Sequence, residues 1–155
     1  MDRIGSGSSR SRPLRVLVVD GMGGRIGQEI VSRLRDAFGE RVEVLAVGTN
    51  SIATAAMMKA GANRGATGEN AARVTSKEAD VLMGPLSVLV ADSMMGEVTP
   101  GLAAALAQCD AKKVMLPLTN PRIDLVGITK TPLPHLMEEA IEIVASCLDE
   151  EGEHV

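Results

Sequence analysis

The strongest chemical signal in the chain is a run of closely spaced glycines, Asp20-Gly-Met-Gly-Gly-Arg-Ile-Gly27. It follows a β-branched apolar run and precedes an amphipathic stretch. In that setting, backbone N–H groups and the positive end of a helix can receive a phosphate. Gly21, Gly23, Gly24 and Gly27 are the candidate phosphate contacts, with Gly27 also letting the helix pack on the strand. Arg25 could pair with a 2′-phosphate, and Thr49 and Asn50, in Val47-Gly-Thr-Asn50, could bond a ribose or a phosphate. Two features depart from the usual dinucleotide fingerprint. Asp20 puts a carboxylate where a pyrophosphate would lie, and the Val47-to-Asn50 segment lacks the Asp or Glu that normally holds the adenosine ribose. The competing reading is that the glycines only shape a tight turn beneath a helix.

Two further stretches combine small polar residues with a carboxylate. In Gly65-Ala-Thr-Gly-Glu-Asn70, read as an exposed loop, Glu69 is a candidate acid or base, while Asn70 and Thr67 are candidate substrate contacts. Equally, Thr67 or Glu69 caps a helix that starts there. In Asp92-Ser-Met-Met-Gly-Glu97, Glu97 is a catalytic candidate if it lies beside the ligand, or else it favours the positive end of a helix starting at Thr99-Pro100. Ser93 is a candidate substrate contact; His135 and His154 both come late, which disfavours a Ser-His-Asp triad. No metal site is expected, because two separated His and two separated Cys offer zinc little. Magnesium shared by Asp20 and a ligand phosphate has no further support in the sequence. The Met57-Met58 and Met94-Met95 pairs read as core or subunit-contact filler.

Positioning these residues requires alternating strands and helices. Residues 14–19 (LRVLVV) read as a strand buried on both faces. Ile26, Ile30, Leu34 and Phe38 recur every four residues as one face of a helix ending near Gly39. Residues 42–47 form the next strand and 51–60 an Ala- and Met-rich helix capped at Gly61, with an exposed loop over 61–68. A strand follows at 79–83. Residues 86–94 favour helix, with strand as the alternative over 86–91. A helix begins at Thr99-Pro100, strands are expected at 113–118 and 125–128, and Leu136, Ala140, Ile141, Val144 and Leu148 define a terminal helix. The pattern implies an α/β Rossmann-like three-layer sandwich, with a mostly parallel open sheet of about five strands and helices on both faces. Ligands of such sheets bind beyond the carboxyl ends of the strands, here the loops after Val19, Val47, Met83 and Leu118.

A chain of 155 residues suits one core. The expected organisation is a disordered tail over 1–13, a single domain over 14–149 and an acidic tail over 150–155. One Phe with no Tyr or Trp disfavours base stacking, and a net charge of −4 with dispersed basic residues argues against a nucleic-acid partner. No segment approaches the roughly 18 apolar residues of a membrane helix, and residues 1–13 lack the apolar core of a secretory signal. Cys109 and Cys147 make no CxxC pair. A reducing, cytoplasmic setting is therefore expected.

Gly24-Arg-Ile-Gly27 resembles the GRMG turn of dihydrodipicolinate reductases. More extensively, VVDGMGGRIG at 18–27, GTNSIATAAMMKAGANRGATGENA at 48–71, ADVLMGP at 79–85 and ADSMMGEVTP at 91–100 together resemble a bacterial family catalogued as domain of unknown function number 3842. The resemblance covers about residues 14–148. It implies a compact Rossmann-like fold and supplies no reaction. The leading expectation is a nucleotide- or dinucleotide-binding domain for a small phosphorylated ligand, with NAD or NADP as cofactor and an NAD(P)-dependent reductase as the first enzymatic reading. There is little room for a separate substrate domain, so the 61–71 and 92–100 loops, or a second subunit of a homo-oligomer, would have to supply that surface. The alternative is a non-catalytic regulatory module sensing a phosphorylated metabolite; a third reading is a scaffold with a vestigial turn.

Overall fold

The computed structural model describes residues 12–153, and side chains through 150. Most of the expected N-terminal tail (1–11) and the last two residues of the acidic tail, including His154, lie outside the described residues. At the start of the described chain, the Arg12 guanidinium forks onto both Asp80 oxygens, at 2.8 and 3.2 Å.

Apolar runs form the centre of the sheet. Strand β1 (Leu14–Asp20) pairs with β2 (Val42–Gly48) on one side and β4 (Val81–Pro85) on the other. Strands β3 (Arg64–Thr67) and β5 (Lys112–Leu116) form the edges, giving the order β3-β2-β1-β4-β5 with every pair parallel. Helices α1 (Arg25–Phe38), α2 (Ser51–Lys59), α3 (Glu69–Thr75), α4 (Pro100–Gln108) and α5 (Leu133–Glu153) make the connections and the carboxyl end.

Alternation along β1 divides the core into two layers. Leu14, Val16 and Val18 belong to a cluster with Ile30, Leu34 and Phe38 of α1 and Met137, Ala140 and Val144 of α5. Leu17 and Val19 belong to the opposite cluster, with Ala72 of α3 and Leu102 and Leu106 of α4. The sheet is thus covered on both faces, and residues 16–19 of β1 and 44–47 of β2 run apolar without a break because neither face meets water there.

Four segments differ from the sequence expectation. Residues 64–67, expected as loop, are the strand β3, in register from Leu45↔Arg64 to Gly48↔Thr67. All four of its residues are exposed, so the strand carries no apolar signature; backbone pairing to β2 defines it. Residues 125–128, expected as the fifth strand, lie in irregular chain between β5 and α5, with Val126 and Ile128 exposed. Residues 86–94 make only a short 3-10 turn, Leu86–Leu89, before a series of turns. There Asp92, Met94 and Met95 adopt φ of 69°, 57° and 58°. That left-handed backbone cannot propagate a right-handed helix. The terminal helix continues beyond Leu148 to Glu153.

Candidate functional site

The direction of chain progression reverses between β1 and β4, so this order has its switch point there, the place beyond the carboxyl ends of the strands where sheets of this kind ordinarily bind ligands. The turn after β1 and the loop after β4 meet at it.

The turn is closed by backbone bonds. Gly24 donates to the Gly21 carbonyl at 2.8 Å and caps α1 at φ 74°. A Cβ at Gly24 would stand 2.7 Å from Ala53 Cα, so the left-handed backbone and the close approach of α2 both require glycine. Asp20 occupies the inner side of the turn. Its Oδ1 accepts the Gly21 N–H at 2.8 Å and its Oδ2 the Gly27 N–H at 2.7 Å. Burial raises the Asp20 pKa above the ordinary aspartate value. It outweighs the lowering bonds from the Gly27, Gly21 and Ile26 amides, and the negative charge of Glu97 adds to the rise. Asp20 therefore holds amides at the start of α1 that a ligand phosphate would otherwise use.

The outer side of the turn is held by Glu97. Its Oε1 accepts three bonds: from Thr49 Oγ1 at 2.6 Å, the Met22 N–H at 2.8 Å and Asn50 Nδ2 at 3.0 Å. The bond from Thr49 is the largest cause lowering the Glu97 pKa, followed by that from Met22; partial burial opposes them and Asn50 adds to the lowering. Oε2 has no hydrogen-bond partner among the described residues. Asn50 also caps α2, accepting the Ala53 N–H at 2.9 Å, and its amide donates to the Met22 carbonyl at 2.9 Å. The loop delivering Glu97 is closed by Asp92 N–H donating to the Val98 carbonyl at 2.7 Å.

The structure thus brings together Asp20, Gly21, Gly24, Gly27, Thr49, Asn50 and Glu97. Gly23 and Arg25 lie exposed on the rim of the turn. Glu69 is engaged elsewhere: its carboxylate accepts Thr99 Oγ1 at 2.6 Å and Arg73 at 2.7 Å, joining the starts of α3 and α4. Gly68 takes the N-cap position of α3, and neither Thr67 nor Glu69 caps that helix. Thr67 shares a hydrogen bond with Thr54 at 2.7 Å, and Asn70 is exposed on α3. Ser93 is buried within the loop that carries Glu97. Sequence reasoning missed Met22, which contributes through its backbone at φ 52° and so has no side-chain signature.

A five-stranded parallel sheet in this order, with a glycine turn at its switch point, defines a Rossmann-like α/β domain. The chain belongs to the family described as Domain of unknown function (DUF3842), which matches residues 15–149. No curated protein matches it. Among solved structures it is similar to the dodecameric FMN-dependent UbiX-like decarboxylase from Escherichia coli O157:H7. Identity is 16% and the TM-score 0.41, over 86% of this chain and 76% of that one. Among the described residues no helix is long and apolar enough to cross a membrane.

Proposed function

We propose that this chain binds a nucleotide or nicotinamide dinucleotide at the switch point, with the phosphates over Gly23 and Arg25 and an unmodified ribose against Glu97. One observation carries the reading: the carboxylate of Glu97 stands beside Thr49 and Asn50 at the end of β2. A dinucleotide-binding sheet ordinarily has an acid of its own there to accept the ribose hydroxyls. The chain lacks that acid on β2 and brings one from the loop after β4. Three donors saturate Oε1 and leave Oε2 to accept from a ribose diol, while the lowered pKa keeps the group ionised and acceptor-only. A carboxylate in this position repels a 2′-phosphate, which favours NAD(H) over NADP(H).

Ligand-induced stabilisation tests this directly. NADH and AMP are expected to raise the melting temperature, and NADPH to raise it less. Gly23→Val is expected to abolish the shift without unfolding the protein, since a Cβ at Gly23 meets only Arg25 Cγ, at 3.9 Å. The reading is wrong if no nucleotide stabilises the protein, or if Gly23→Val leaves the shift intact.

A further inference from the structure

Among the described residues, two buried side-chain oxygens have no hydrogen-bond partner, Ser93 Oγ and Thr119 Oγ1. Both residues line the same cleft of about 670 Å3, between the loops that follow β4 and β5. Asp92, Asn120 and Arg122 line it too, and no residue of the glycine turn does. Ser93 is only 5% exposed. Burying a hydroxyl without a partner forfeits its hydration, so two such groups in the wall of one cleft mark a surface a polar ligand would satisfy. The volume is in the range of small-molecule sites.

We propose that this cleft is a second binding site, for a small hydroxy-carboxylate. Arg122 is the one cation among the lining residues and is exposed, able to take a carboxylate in a two-pronged ion pair. The Arg122 backbone N–H donates to Asn120 Oδ1 at 2.9 Å, which shapes the turn that carries the guanidinium. The Ser93 and Thr119 hydroxyls can each donate and accept, which suits the ligand's own hydroxyl. Asp92 adds a carboxylate to the same lining. It can accept from a ligand hydroxyl, and it disfavours a polyphosphate, so a hydroxy acid of low charge fits better than a nucleotide tail. The site stands on residues separate from those of the glycine turn and does not depend on nucleotide binding.

Amide spectra of the full chain, titrated with L-lactate and with glycerate, test the assignment. Glycerol serves as the uncharged control. The expected result is saturable shifts at Ser93, Met94, Thr119 and Arg122 with a hydroxy acid and none with glycerol. Arg122→Gln should abolish these shifts, and Ser93→Ala should weaken binding by roughly five- to tenfold, the loss expected for one hydrogen bond. Without ligand, Ser93→Ala should melt higher than the wild type, because it removes a buried hydroxyl that no protein group satisfies. The proposal is overturned if neither acid shifts the cleft residues, if glycerol acts equally, or if both variants bind unchanged. A lower melting temperature for unliganded Ser93→Ala would also overturn it, by showing that the hydroxyl is already satisfied. AMP, read at residues 21–24, reports the nucleotide site separately, so failure at one site is distinguishable from failure at the other.

Discussion

Glu97 Oε1 accepts the backbone N–H of Met22 at 2.8 Å, so a carboxylate from the loop after β4 is seated in the glycine turn after β1. This bond, with those from Thr49 and Asn50, links three strand ends across the switch point.

The link carries a signed pH dependence. The Glu97 pKa is lowered in the folded protein from a reference near 4.5, so its stabilisation is present above the unfolded value and is lost as pH falls through the lower folded value. Glu97→Gln keeps one acceptor and loses the charge. It should cost about 1 kcal/mol at neutral pH. Urea unfolding at a series of pH values should show wild type and variant converging in acid; a gap that widens in acid would contradict the role given to Glu97.

Gly24 and Gly39 separate backbone strain from steric contact. Both have positive φ, 74° and 54°, but a Cβ at Gly39 meets nothing within 4 Å, whereas one at Gly24 runs into the Ala53 backbone. Gly39→Ala should therefore cost only the conformational penalty, about 1–3 kcal/mol, because its ψ of −128° places it outside the left-handed helical region. Gly24→Ala should cost about 2–4 kcal/mol, because overpacking against α2 adds to that penalty. A loss for Gly24→Ala in denaturant unfolding no larger than the left-handed backbone penalty alone, about 1 kcal/mol, would show that α2 yields freely at the turn.

The same distinction explains what the sequence could reveal. Helix α1 was legible because Ile30, Leu34 and Phe38 all enter one buried layer, and burial imposes a period on residue types. Strand β3 was not, because an exposed edge strand is specified by its pairing with β2 and imposes no such period. The apolar letters of 125–128 misled for the converse reason: Val126 and Ile128 are exposed rather than covered by a partner layer. The glycine turn, Thr49, Asn50 and Glu97 were each recognisable by type. Their convergence was not, because it depends on positive-φ residues at 92 and 94–96 that bring Glu97 back to Met22. The absence of an acid on β2 was readable locally; a carboxylate supplied from another loop is a tertiary fact.

Met95 shows how that loop is held. Its φ is 58° and its side chain is 95% exposed, so it has a left-handed backbone with little side-chain burial in return. Asn tolerates this region better than Met and restricts the unfolded chain more than Gly. Met95→Asn should stabilise the protein by about 0.5–1 kcal/mol, raising the melting temperature by about 1–4 °C in a chain of this size. Calorimetry checks it. A destabilised variant would indicate that Met95 is covered in solution.

Asp20 and Glu97 titrate in opposite directions from their ordinary values, and each is affected by the turn they share. Burial raises the Asp20 pKa and the charge of Glu97 raises it further, so Glu97→Gln should lower it, although burial remains the larger cause. By linkage, the stabilisation associated with Asp20 is fully present below its unfolded value of 3.8 and is lost as pH rises through the raised folded value, opposite to the behaviour of Glu97. A nucleotide phosphate over Gly23 and Arg25 would bring another negative charge close to Asp20 and raise its pKa again, so phosphate binding should strengthen as pH falls through the Asp20 titration. Carbon-13 titration of the Asp20 carboxyl measures both effects: downward in Glu97→Gln, upward when AMP is bound to the wild type. If AMP binds and the Asp20 titration does not move, the phosphate lies elsewhere than over this turn.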